Sequence, residues 1–274
     1  MSRRFAQSVK LIVLIIGAFV MMFPFVWMLA TSLKTLPESV AIPPILLPDT
    51  PQWGNYAEAL RTAPFGLYFR NSILVAGLGT LLTLILTVLA AYAFTIYEFR
   101  GKTVFFFLCL ATMMVPSELL IIQNFITISR LHWVNTFQGM IVPTLASGFY
   151  IYMMREYFMQ VPSVLYRAAK VDGCGDLRYL LTILLPLCRG TLTTLFVQSF
   201  LSLWNAYLWP LMVTASAPDM RTIMVGITKL NSWEDTNYEL VLAGVTISLI
   251  PSFVLFALMR RNLNKDNTEG SLNG

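Results

Sequence analysis

From Leu11 to Leu33 the chain carries no charged residue. A helix of about 20 apolar residues crosses a bilayer's hydrocarbon core, where every backbone N–H and C=O must find its partner inside the segment. A run of this length therefore points to helix in a membrane. The pattern recurs along the chain. Asn71–Tyr97 is uncharged, Thr103–Ile126 holds Glu118 alone, and Gln138–Met154, Gly190–Ala217 and Leu240–Met259 are again uncharged. Only 12% of the 274 residues are charged and 57% are hydrophobic, against about one quarter charged in soluble domains. The expected fold is all-α. A single polytopic membrane domain over 1–274 would hold six transmembrane helices at about 11–33, 71–97, 103–126, 138–154, 190–214 and 240–259.

The basic residues suggest an orientation. Arg3, Arg4 and Lys10 resemble the start of a signal peptide, but the apolar run is too long and no small-x-small cleavage site follows. The first helix is expected to be retained. With the N-terminus inside, thirteen of the nineteen Lys and Arg fall on inner segments. That bias predicts both termini in the cytoplasm of a multi-pass cell-membrane protein. Lipid, rather than nucleic acid, is the expected partner of these cations. Tyr68, Trp133, Trp233 and Tyr238 fit interfacial anchoring. Cys109, Cys174 and Cys188 show no metal spacing, and a structural disulfide is not expected.

One polar island interrupts the apolar pattern. The segment 156–189 becomes a cytoplasmic loop between spans four and five. It contains YRAAKVDGCGDLRYLLTILLPL, Tyr166 to Leu187. Ser163 is expected to cap a helix of about two turns over Val164–Val171. Asp172-Gly173 would stop it, since Gly accepts the left-handed conformation after a helix. Asp176 would cap a second helix, with Leu177, Leu180, Leu181 and Leu184 on one apolar face. Ala168 and Ala169 leave room for another protein's surface, and Tyr166 and Arg167 suit an interface anchor. An inert amphipathic loop lying on lipid fits the same pattern.

The spacing of the island carries a resemblance. Permease subunits of ATP-driven (ABC) importers have a cytoplasmic loop reading Glu-Ala-Ala, three residues, Gly, nine residues, Ile, one residue, Leu-Pro. Here Arg167, Ala168 and Ala169, then Gly173, then Ile183, Leu185 and Pro186 stand at those spacings, with Asp172 in the common Asp-Gly form. The chain is similar to the carbohydrate-uptake group of these permeases. NSILVAGLGTLLTLILTVLAAYAF, MMVPSELLIIQNFI, WNAYLWPLMV and the ending EGSLNG extend the likeness over nearly the whole length. The resemblance implies that the loop is a coupling helix docking in a groove of an ATPase subunit. It also implies a second homologous permease, an ATPase dimer and an extracytoplasmic solute-binding protein as partners. Arg167 replaces the family's Glu, so its usual contact is not carried over.

The cargo would be a sugar, with an oligosaccharide favoured. Glycerol phosphate or a non-sugar solute such as a polyamine is the alternative. A charge at the bilayer centre is costly, so Glu118 beside Gln123 and Asn124 is a candidate for lining the path. A position near the outer rim, or a pairing with a partner helix, would also explain it. Gln198, Trp204, Asn205 and Trp209 combine amides with aromatic faces, as sugar binding requires, although helix packing uses the same residues. The chain has no phosphate-binding loop of the G-x-x-x-x-G-K-[ST] type. It is therefore expected to be no enzyme and to bind no cofactor, with ATP hydrolysed by the partner subunits.

Overall fold

A computed structural model describes residues 3–230 and 237–269. Trp233 and the last five residues of EGSLNG lie outside the described residues. The described chain is helical, without strands. The main helices, labelled in chain order, are α1 (Arg3–Ser32), α2 (Gly54–Thr62), α3 (Phe65–Ile96), α4 (Lys102–Met114), α5 (Ser117–Arg130), α6 (Phe137–Ile141), α7 (Gly148–Gln160), α8 (Ser163–Val171), α9 (Asp176–Leu187), α10 (Arg189–Trp204), α11 (Leu208–Val213) and α12 (Tyr238–Glu269).

Among the described residues, three helical stretches are long and apolar enough to cross a membrane: Gln7–Ser32, Phe65–Ile96 and Tyr238–Met259. Two bent pairs raise that to five. α4 and α5 meet at 93°, and α9 and α10 at 84°. The first bend falls at Pro116, which has no N–H to continue a helix. The expected span 138–154 is not one helix. It is divided among α6, a 3₁₀ turn at Val142–Thr144 containing Pro143, and α7, which runs on to Gln160. Ser147 restarts it: its Oγ accepts from the Tyr150 N–H at 3.4 Å, meeting a donor that the first helical turn leaves open. Because α7 continues past Met154, Arg155 is helical. Its guanidinium lies 4.3 Å from the centroid of the Phe106 ring.

The chain divides into two compact units, 1–65 with 225–251, and 66–224 with 252–274. In the first, no residue in the most apolar part of α1 is buried within the protein. Such a helix suits lipid or a partner. Just beyond α1, Lys34 is 1% exposed. Its ammonium bonds Thr31 Oγ1 at 3.2 Å and the Ile45 carbonyl, and sits 4.4 Å from the Trp27 ring centroid. Burial lowers its pKa, and the Glu38 carboxylate partly offsets that. The following loop is tied down by Asn55, whose amide donates to the Ser32 and Lys34 carbonyls.

The second unit has two apolar cores. One gathers Leu84, Val88 and Ala91 of α3 with Met154 and Phe158 of α7, and Tyr179, Leu180 and Leu184 of α9. The other centres on Val75, Ile128, Met140, Ile141 and Val213. Tyr68, expected at an interface, is 3% exposed and belongs to the protein interior. The packing between α4 and α7 requires a glycine. A Cβ on Gly148 would collide with the Cys109 carbonyl oxygen and stand 2.8 Å from Thr112 Oγ1. Gly148→Ala should destabilise by about 1–3 kcal/mol or more, the usual cost of overpacking, read as a lower temperature for loss of monodispersity in detergent.

Candidate functional site

The polar island forms two helices joined by a tight turn. Past the end of α8 at Val171, Gly173 takes φ 73°, the left-handed region where Gly costs least. The Cys174 N–H reaches back to the Ala169 carbonyl at 2.8 Å and the Gly173 N–H to Lys170 at 3.1 Å, closing the last turn. The dihedral, rather than crowding, selects Gly173, since a Cβ there would meet nothing within 4 Å.

Several local expectations are corrected. Ser163 is the first helical residue rather than the cap, with Pro162 before it and no side-chain cap bond. Asp176 likewise opens α9, with Gly175 at the cap position. Other donors engage its carboxylate. Ala169 is buried in the core, so only Ala168 of the pair is exposed. Leu180 and Leu184 face the interior, but Leu177 and Leu181 are 64% and 55% exposed. A π-helical turn at Leu180–Leu184 rotates the face, bringing Tyr179 and Ile183 to the core. Tyr166, Ile183 and Leu185 also pack inward. Arg167, Ala168, Asp172, Gly173 and Pro186 are exposed. Among the described residues Arg167 forms no ion pair.

Asp176 collects a set of donors. Its Oδ1 accepts from Lys170 Nζ at 2.7 Å, Tyr166 Oη at 2.9 Å and Tyr92 Oη at 3.3 Å. The Lys170 bond first, then the Tyr166 bond, pull its pKa from 3.8 to about 2. Lys170 is raised, chiefly by the same bond. Sequence patterning missed this cluster, because its members are scattered over α3, α8 and α9.

The second feature is a half-open cavity of about 530 Å³. Glu118 and Asn124 come from α5, Ser147 and Tyr150 from the start of α7, Ser199 from α10, and Trp209 from α11. Trp209 is anchored through its indole N–H to the Met140 carbonyl at 3.1 Å, leaving the ring on the wall. Ser117 Oγ bonds the Glu118 carboxylate at 3.2 Å. Among the described residues, no Lys or Arg lines it. Three of the expected path residues thus meet here: Glu118, Asn124 and Trp209. Gln123, Gln198 and Asn205 are exposed and off the wall. Trp204 is 1% exposed, stacked on Phe200 at 5.8 Å and edge-on to Phe69 at 5.7 Å. It serves the core rather than the cavity. Ser199 and Ser202, three residues apart on α10, were the one available signal for the additional hydroxyls.

Residues 83–266 match the family described as the binding-protein-dependent transport system inner membrane component. The chain belongs to that family. It is 33% identical over 259 residues to the sn-glycerol-3-phosphate transport system permease protein UgpE of Yersinia enterocolitica, covering 91% of this chain and 92% of that one. It is 30% identical over 262 residues to the arabinooligosaccharides transport system permease protein AraQ of Halalkalibacterium halodurans, covering 94% and 93%. The fold is shared with a bacterial ABC transporter involved in the import of the acidic polysaccharide alginate. That match has a TM-score of 0.84 at 23% identity, over 95% of this chain and 98% of the other. The permease is thus a multi-pass inner-membrane component of an ABC importer.

The Asp176–Lys170 pair has a defined pH window. The Asp176 carboxyl is more acidic folded than free, so its contribution is complete above 3.8 and lost as pH falls toward about 2. The Lys170 contribution is complete below its ordinary 10.5 and lost as pH rises beyond it. Hydrogen-exchange protection across residues 166–180, corrected for intrinsic rates, should hold from neutral pH to about pH 4 and fall below it.

Proposed function

We propose that the chain is the membrane-spanning permease of an ATP-driven sugar importer, with six crossings, both termini in the cytoplasm and residues 156–189 as the coupling loop. It would work with a second permease, a pair of ATPase subunits and an extracytoplasmic solute-binding protein. The chain itself would bind no cofactor and hydrolyse no ATP. The observation that carries the docking reading is α8. It is a short helix with Arg167 and Ala168 exposed, set on a left-handed Gly173 turn, in a loop of the family's spacing. Closure of the ATPases would push on α8, and the rigid-body motion that follows would switch the path between its two openings.

The cavity chemistry supports a neutral sugar. Hydroxyls and an amide on the wall can bond sugar hydroxyls, and the Trp209 ring offers a face to the C–H side of a sugar ring. The second reading, glycerol phosphate, draws on the sn-glycerol-3-phosphate transport for which UgpE is named. A phosphate dianion would meet the Glu118 carboxylate without a Lys or Arg on the wall. A polyamine would find one carboxylate there and little else ionic.

Two outcomes test these readings. In proteoliposomes, uptake should be competed by maltotriose and not by glycerol 3-phosphate or spermidine. Glu118→Gln should reduce sugar uptake by roughly tenfold at most, the worth of one hydrogen bond. Competition by glycerol 3-phosphate alone would replace the sugar reading. For docking, Arg167→Glu should weaken co-purification of the ATPase subunits by roughly tenfold, as loss of an interfacial charge contact does. Full retention of the ATPases by a chain carrying Arg167→Glu and Ala168→Trp together would refute docking through α8.

A further inference from the structure

We propose that Asp176 is a positioning residue that locks α8, the head of α9 and the end of α3 into one rigid block. The proposal rests on the reading of α8 as the ATPase docking helix. Apart from the Asp176 cluster, α8 has few attachments. Val164, Leu165 and Val171 are exposed, at 56%, 38% and 88%. From α8 only the Ala169 methyl and the Tyr166 ring reach the core, both on one face. The backbone link to α9 runs through Gly173, a residue with wide freedom in φ and ψ. With these attachments alone, a force on α8 would be absorbed by pivoting at Gly173.

The carboxylate closes that hinge. Lys170 and Tyr166 reach it from α8, four residues apart and therefore on one helix face. Tyr92 reaches it from α3, and its hydroxyl also lies 3.4 Å from the Asp176 backbone carbonyl. The rings brace one another. Tyr166 meets Tyr179 edge-on at 5.0 Å, and Tyr92 meets Tyr97 edge-on at 5.7 Å. Lys170 Nζ sits 5.3 Å from the Tyr166 ring centroid. One anion thus joins three elements through charge-assisted bonds, which are the strong and directional kind. Motion of α8 is passed to α3, whose neighbouring residues Leu84 and Val88 lie in the core shared with α7 and α9.

The test uses the assembled complex, with Cys109, Cys174 and Cys188 replaced by Ala and spin labels at the exposed positions Val171 of α8 and Leu89 of α3. MgATP is the probe. With Asp176 present, the label distance should form one narrow peak that does not move when MgATP is added, because both sites ride on one block. Asp176→Ala should give a broadened peak whose mean shifts with MgATP. Asp176→Glu should restore the narrow one, which a general loss of stability would not do. If the Ala variant does not assemble, Lys170→Met carries the test, and it too should broaden the peak. A narrow, unmoved peak in either altered complex with its ATPases bound overturns the latch. Failure of the unaltered chain to retain ATPase subunits would overturn the docking reading and the latch with it.

Discussion

A break in a helix strips backbone N–H and C=O groups of their regular partners, and the rest of this fold depends on how the chain meets that at its two bends. The backbone near each bend finds partners locally. At the first, Val115 N–H bonds the Thr112 carbonyl at 3.3 Å, Leu119 N–H bonds that of Pro116 at 3.1 Å, and Thr112 Oγ1 caps the Cys109 carbonyl at 2.7 Å. At the second, the Cys188 N–H is shared between the Leu184 and Leu185 carbonyls, at 3.2 and 3.1 Å. These bonds lie where the chain turns through 93° and 84°. The cavity follows from them. Glu118 stands in the second residue after Pro116, and Ser199 lies on the helix that leaves the second bend.

The large-scale pattern could be read from uncharged runs, because a bilayer imposes length and charge together. The short helix and turn of the polar island could be read because the turn needs Gly at one place. Finer features could not. Ser163 and Asp176 both stand beside a helix start, where the capping rule points to them. The chain instead places each inside the first turn. For Asp176 the reason is competition: Lys170, Tyr166 and Tyr92 offer stronger partners than a backbone N–H. Leu177 and Leu181 missed the core because a π turn changes the period that the pattern assumed.

The cavity residues show a different limit. Glu118 was conspicuous as a lone charge in an apolar run, and Trp209 as part of an aromatic pair. Ser147, Tyr150 and Ser199 were ordinary residues in their own segments, and only the bends bring them to one wall. Trp204 has the same chemistry as Trp209, yet faces the core. Five residues is not a whole number of helical turns, and Asn205–Tyr207 separates α10 from α11. Residue type marked the class of site, while the choice among like residues was made by packing.

The buried ammonium of Lys34 has a consequence for α1. A lysine near a helix end ordinarily extends or folds back to follow the headgroups, and so tolerates membranes of different thickness. Lys34 has no such slack, because its Nζ is engaged by Thr31 and Ile45 and covered by Trp27. That end of α1 is a fixed depth mark. Any mismatch between helix length and bilayer thickness must be absorbed at the opposite end, where Lys10 remains exposed, so the helix is tethered like a rod clamped at one end only.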